Sequence, residues 1–151
     1  MNHLRKHVAL FAGVALLVVA AVSMAGVAPA AVHFIDHDKV AATFEKSGTI
    51  IDEPGLKVVT QRRDGGMAEY HEHTGHVFIM YDGEGTLVVG GTIVGGKTTA
   101  PGQIRGASIE GGESYHVSKG DVITIPAKTP HWFKDLKTKT IAYYAVNYEN
   151  D

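Results

Sequence analysis

Four histidines are spaced so that they can converge on one metal ion. His71, His73 and His76 lie in the run Tyr70-His71-Glu72-His73-Thr74-Gly75-His76, and His131 follows 55 positions later. In a β-strand, residues i and i+2 point to one face, so His71 and His73 are expected to aim two imidazoles at a common point. A further histidine from a distant strand would close the site and tie ligand geometry to the fold. His76 is offset by three from His73, which puts it on the opposite face of an undistorted strand. A bulge or turn at Thr74-Gly75 would re-aim it. Glu69 shares the parity of His71 and His73 and is the carboxylate that would serve in place of His76, whereas Glu72 falls on the other face, toward solvent. His33, His37 and His116 have no partner at comparable spacing.

The elements that must position these residues read as strands. Short β-rich runs separated by glycine cover Leu56 to Gln61, Met67 to His73, Val77 to Tyr81, Thr86 to Val89, Tyr115 to Val117, Val122 to Ile125 and Thr140 to Tyr148. Asp-Gly pairs at Asp64 and Asp82 supply tight turns. Before them, Val40, Ala41 and Phe44 stand near helical spacing, with Asp36 placed as an N-cap and Gly48 as a stop, so a short helix is expected. The polar, glycine-rich stretch Gly95 to Gly112 reads as an insert or lid loop, from which Arg105 or Gln103 would reach a ligand at the barrel mouth. Trp132, Phe133, Tyr143 and Tyr144 flank the last strands. Trp132 and Tyr144 join Arg105 as candidate substrate contacts, beside the ordinary role of aromatics as barrel filling.

With its spaced glycines and proline, the pattern resembles the two motifs of the cupin superfamily, and more narrowly a small single-domain cupin. The first family motif reads Gly, five residues, His-x-His, three or four residues, Glu, six residues, Gly. Gly65, His71, His73 and Gly83 match it, and His76 stands where the glutamate is expected, after a gap shorter than usual. The second reads Gly, five residues, Pro-x-Gly, two residues, His, three residues, Asn. Gly120, Pro126 and His131 match, while Lys128 and Asp135 depart. The resemblance implies an all-β fold, a single small barrel of the jelly-roll type, preceded here by the short helix. It also implies one divalent transition-metal ion held by His71, His73, His76 and His131, with iron, zinc, manganese, nickel and copper all open. Imidazoles without thiolate favour zinc, iron, copper or nickel. Dimerisation through barrel faces is common in such proteins, but the chain itself does not show it.

The opening residues carry Arg5 and Lys6, then an uncharged run from Val8 to Pro29 ending in Ala28-Pro29-Ala30, the pattern of a secretory signal peptide. The run is also long enough to anchor the chain if it is not cut. Residues 1–30 are therefore expected to be a leader, 31–50 a helical segment and 51–151 the barrel, placed in the periplasm or secreted, with membrane contact only through an uncleaved leader. The absence of cysteine excludes disulfides and thiolate ligands. Without Arg5 and Lys6, 12 basic residues face 16 acidic ones, and no basic cluster with interleaved aromatics invites nucleic acid. Lys57, Arg62, Arg63 and Lys137 to Lys139 read as solvated strand or turn positions. The functional expectation is a metal-dependent enzyme of oxygenase, isomerase or lyase type acting on a small oxygenated molecule. A non-catalytic cupin that captures such a molecule or the metal, and a metal-free structural barrel, stand as the other classes.

Overall fold

In the computed structural model, residues 32–149 are described; the leader lies outside them. Among the described residues no helix is long and apolar enough to cross a membrane. The one helix, α1 (His37–Lys46), starts where the sequence places its cap: the Asp36 carboxylate accepts from the Asp38 backbone N–H at 2.9 Å. It ends at Ser47, whose left-handed φ of 54° turns the chain into the first strand.

Thirteen strands follow: β1 (Gly48–Glu53), β2 (Leu56–Arg63), β3 (Ala68–His71), β4 (Thr74–Asp82), β5 (Glu84–Val89), β6 (Thr92–Val94), β7 (Lys97–Ala100), β8 (Gln103–Gly106), β9 (Ser108–Glu110), β10 (Glu113–Ser118), β11 (Val122–Ile125), β12 (His131–Leu136) and β13 (Ile141–Glu149). One sheet runs β1-β2-β13-β4-β11, another β10-β5-β12-β3-β8-β7, and β6 pairs with β9 alone. The pairs are antiparallel throughout, as expected of short runs joined by tight turns.

Side-chain alternation sorts the strands' residues onto two faces. Phe78 and Met80 of β4, Leu87 of β5, Ile125 of β11, Phe133 of β12 and Ile141, Tyr143 and Ala145 of β13 form the core. Residues one position out of step in the second sheet, Ala68, Val88 and Trp132, build a smaller cluster with Ile93 and Ile109 of the β6–β9 pair. The helix covers the first sheet: Phe44 stacks on Tyr81 with ring centroids 4.5 Å apart and meets Tyr144 edge-on at 5.0 Å, while Arg62 Nε donates to the Phe44 carbonyl. The helix and barrel belong to one compact unit that starts at His33.

Two expectations change. The stretch from Gly95 to Gly112 is not a lid loop. Its β7–β8 hairpin adds two strands to the second sheet, with β8 paired along β3, because Thr98, Ile104 and their neighbours find ladder partners that a free loop would lack. Met67 to His73 is not one strand either: β3 stops at His71 and Glu72-His73 form a bend, with the Glu72 N–H donating to the Gly102 carbonyl.

Gly106 lets the β6–β9 pair sit against β8. A Cβ there would meet Ile93 Cγ2 and lie 2.5 Å from the Val94 carbonyl oxygen. Gly106→Ala is expected to destabilise the protein by about 1–3 kcal/mol through overpacking, read as a lower urea midpoint. An unchanged midpoint would show that the pair is free to move away.

Candidate metal centre

Three of the four histidines come together. His71 is the last residue of β3, His76 the third of β4 and His131 the first of β12. Each offers one ring nitrogen, and these atoms lie within 4.8 Å of one another. Ring centroids are 4.8 Å apart for His71 and His76, 5.0 Å for His76 and His131, and 5.5 Å for His71 and His131. The backbone brings them there. Gly75 leaves room for the Tyr148 ring opposite it on β13, since a Cβ there would collide with that ring. The Lys128 N–H donates to the His71 carbonyl at 2.7 Å, so the loop before β12 clamps the end of β3.

An oxygen acceptor takes up Nδ1 of every ring. His76 Nδ1–H donates to Asn147 Oδ1 at 2.7 Å, His131 Nδ1–H to the Thr129 carbonyl at 3.1 Å, and His71 Nδ1–H to Gln103 Oε1. For His76 and His131 that arrangement fixes the tautomer and leaves Nε2 as a bare lone pair, the condition a metal ligand needs, while His71 Nε2 faces the Glu69 carboxylate. His76 Nε2 is fully buried with no hydrogen-bond partner. A buried nitrogen of this kind costs on the order of 1–3 kcal/mol unless something fills its lone pair, and a cation set among the three imidazoles would fill it. Burial disfavours the protonated form of two of the rings. It lowers the His131 pKa to about 4, with neighbouring His76 adding to the effect, and it lowers His76 despite the bond to Asn147.

Glu69 stands beside the cluster. Its Oε2 lies 3.5 Å from His71 Nε2, while Arg63 reaches Oε1 at 3.2 Å and Arg105 at 3.4 Å. Burial pushes this carboxyl up, but the His71 ring and the two guanidinium charges outweigh burial and hold it at about 2. A cavity of about 160 Å³ opens over Arg63, Glu69, Arg105, Tyr143 and the three imidazoles. An outer cleft of about 300 Å³ reaches His71 and His76 past Lys57, Gln103 and Tyr148.

His73 is not in the cluster. Its side chain is 65 % exposed and lies near Glu72, because the strand whose parity was to align it with His71 has already ended. The motif therefore reads two residues earlier: Glu69-x-His71, four residues, His76, six residues, Gly83. That spacing removes the short gap left by counting from His73, and it puts Glu69 in the first histidine position and His76 in the glutamate position. Two proposed substrate contacts also move away. Trp132 alternates with His131 and Phe133, so it faces the smaller cluster and donates from Nε1 to the Gly66 carbonyl at 2.9 Å. Tyr144 lies on the outer face against Phe44, and its neighbour Tyr143 lines the cavity instead. Arg105 does line it. Arg63, read as solvated, turns inward with Val59 and Gln61 of β2, and Asn147 follows Tyr143 and Ala145 at intervals of two along β13. Period-two parity was the signal for both. Asp135 is exposed, but Lys128 keeps the conformation of the glycine it replaces, with φ at 64°.

Two outcomes follow. Lys128→Gly is expected to stabilise the chain by roughly 1 kcal/mol, since an L-residue in this region is strained by about 1–2 kcal/mol and glycine gives part of that back in unfolded-state entropy; a lower melting temperature would refute it. The metal-free chain should also lose stability as pH falls. An unfolded histidine protonates near pH 6.5 and folded His131 only near 4, so between these values the unfolded chain binds more protons, an effect of ~3 kcal/mol for His131 alone. Glu69 acts in a lower window: its contribution is present above its ordinary 4.5 and is lost toward 2. Urea midpoints at pH 7 and pH 5 test this, and equal midpoints would mean that folded His131 takes up its proton as readily as the unfolded chain does.

No family model matches the chain, and neither does any curated protein. Solved structures do. The chain is similar to BH2720 of Bacillus halodurans, with 15% identity and a TM-score of 0.57 over 84% of this chain and 86% of that one. It is also similar to the Cnp3 cupin domain of Schizosaccharomyces pombe, with 12% identity and a TM-score of 0.49 over 69% of this chain and 64% of that one. A cupin 2 conserved barrel domain protein from Rhodopseudomonas palustris gives 19% identity and a TM-score of 0.47 over 70% and 62%. At such identities the likeness concerns the fold. With its mostly β architecture and jelly-roll arrangement of antiparallel sheets, the chain shares the fold of BH2720, and its Gly83, Gly120, Pro126 and His131 spacing resembles the cupin motifs.

Proposed function

We propose that this protein binds one divalent transition-metal ion through His71, His76 and His131 and acts on a small oxygenated molecule outside the cytoplasm. The observation that carries the metal reading is the unpartnered, fully buried Nε2 of His76, set among two further imidazoles whose Nδ1 atoms are likewise engaged. Three nitrogen donors with no thiolate fit zinc, iron, copper or nickel. Glu69, held ionised next to His71, is the one nearby carboxylate that would offset the ion's charge. A bound ion of this type supplies Lewis acidity and lowers the pKa of water. The chain's own residues orient and select: Gln103, Asn147 and the Thr129 carbonyl hold the rings, and the inner cavity of about 160 Å³ favours a small ligand. The leader-like sequence from Arg5 to Ala30 supports a periplasmic or secreted location.

Capture without turnover is the second reading, and the titration of the site favours keeping it. Glu69 at about 2 is a weak proton acceptor, and burial raises Tyr143 to about 12, so neither is poised for general acid–base work near neutral pH. Substrate depletion assays separate the two readings.

Elemental mass spectrometry of the purified chain and its variants tests the metal centre. Roughly one equivalent of a transition metal is expected in the wild type and in His73→Ala, with little in His76→Ala or His131→Ala. Gln103→Ala should retain the ligands but bind about 10–100-fold more weakly. Metal loss in His73→Ala equal to that in His76→Ala would overturn the assignment.

A further inference from the structure

We propose that the inner cavity takes a small molecule bearing a carboxylate, and that Arg105 is the residue that holds this carboxylate beside the three imidazoles. The inference rests on the metal reading for the ligand's other oxygen, and on the chain's own charges for the carboxylate. Strand pairing sets Arg105, Glu69 and His131 in one row across β8, β3 and β12, with Gln103 and His71 in the next row. All five side chains border the two connected spaces around the imidazoles.

The balance of charge in that row selects the ligand. Arg63 and Arg105 against Glu69 leave one net positive charge on the cavity wall before any ion is counted. Arg63 answers Glu69: its NH1 lies 3.2 Å from Oε1 and its Nε donates to Gln61 Oε1 at 3.2 Å. Arg105 approaches the same carboxylate oxygen through NH2 at 3.4 Å, beyond the ~2.7–2.9 Å of a charge-assisted bond, and its side chain is 46% exposed. One carboxylate shared between two guanidinium groups leaves the looser one with a planar fork of donors for a second oxyanion.

The acidic residues of the outer cleft do not reverse this. Asp52, Glu53 and Glu149 are exposed at its rim, and Lys57 bonds Asp52 at 2.8 Å. Exposed charges are screened within about 8 Å at physiological salt, whereas enclosed ones are screened far less. The cavity of about 160 Å³ is smaller than the ~300–1,000 Å³ of pockets that take drug-sized ligands. A short hydroxy or oxo acid fits that space, with the carboxylate on Arg105 and the second oxygen toward the imidazoles.

Calorimetric titration of the zinc-loaded chain with lactate and with propane-1,2-diol tests the assignment, since the diol keeps the skeleton and loses the charge. Zinc content and thermal midpoint are measured on every sample. Lactate is expected to bind at least about ten-fold more tightly than the diol, and Arg105→Gln should weaken it by about ten-fold or more with zinc content and midpoint unchanged. Arg105→Lys should recover part of the loss. Equal binding of lactate by the wild type and Arg105→Gln, equal binding of lactate and diol, or no lactate binding tighter than about 10 mM would each overturn the proposal. Failure of the metal reading looks different: the wild type takes up no zinc, while Arg105-dependent lactate binding to the metal-free chain still upholds the carboxylate site.

Discussion

The site depends on holding three imidazoles close together inside a barrel. Their ring centroids stand about 5 Å apart, where like charges could not coexist away from water. Burial disfavours the charged form of His76 and His131, and their Nδ1 acceptors decide which nitrogen keeps its proton. These two effects are separate. Burial alone would leave each ring free to choose a tautomer, and a hydrogen bond alone would tend to stabilise the protonated form, as Asn147 does for His76 against the larger effect of burial. Together they turn a cluster that is unfavourable on its own into one that is favourable around a cation.

The rest of the barrel can be understood as support for that arrangement. The first sheet contributes His76 on β4 and its acceptor Asn147 on adjacent β13, in direct register. The second contributes His71 with its acceptor Gln103 on β8, and His131 with the Thr129 carbonyl just before β12. Each ligand is thus held by its own sheet, and packing of Phe78, Phe133 and Tyr143 between the sheets sets the distance across which the rings meet.

Much of this was legible from residue order. The helix with its Asp36 cap, most strands and the histidine-based centre follow from periodicity, turn residues and the resemblance to cupin motifs. The failures share one physical origin, which is that parity holds only while the strand does. His73 was aligned with His71 on the assumption that β3 continued, yet the Glu72 N–H turns to the Gly102 carbonyl and ends it. Tyr144 was chosen over Tyr143 because nothing local in β13 states which of its faces is inward; that is fixed by pairing with β2 and β4. The β7–β8 hairpin was hidden because its polar strands earn their place by backbone pairing, and polar side chains carry no period-two hydrophobic signal.

That hairpin has a consequence for how such a protein can change. Gln103 and Arg105 occupy alternate positions of the four-residue β8, so the strand that orients the His71 ring is also the strand that presents the Arg105 guanidinium. A single-residue insertion between Gln103 and Arg105, or loss of Ile104, would put the two side chains on opposite faces, whereas a change of length at the Pro101-Gly102 turn leaves their parity intact. Ring orientation and placement of the guanidinium therefore share one reading frame, and the tip of the hairpin is where a change of length disturbs neither.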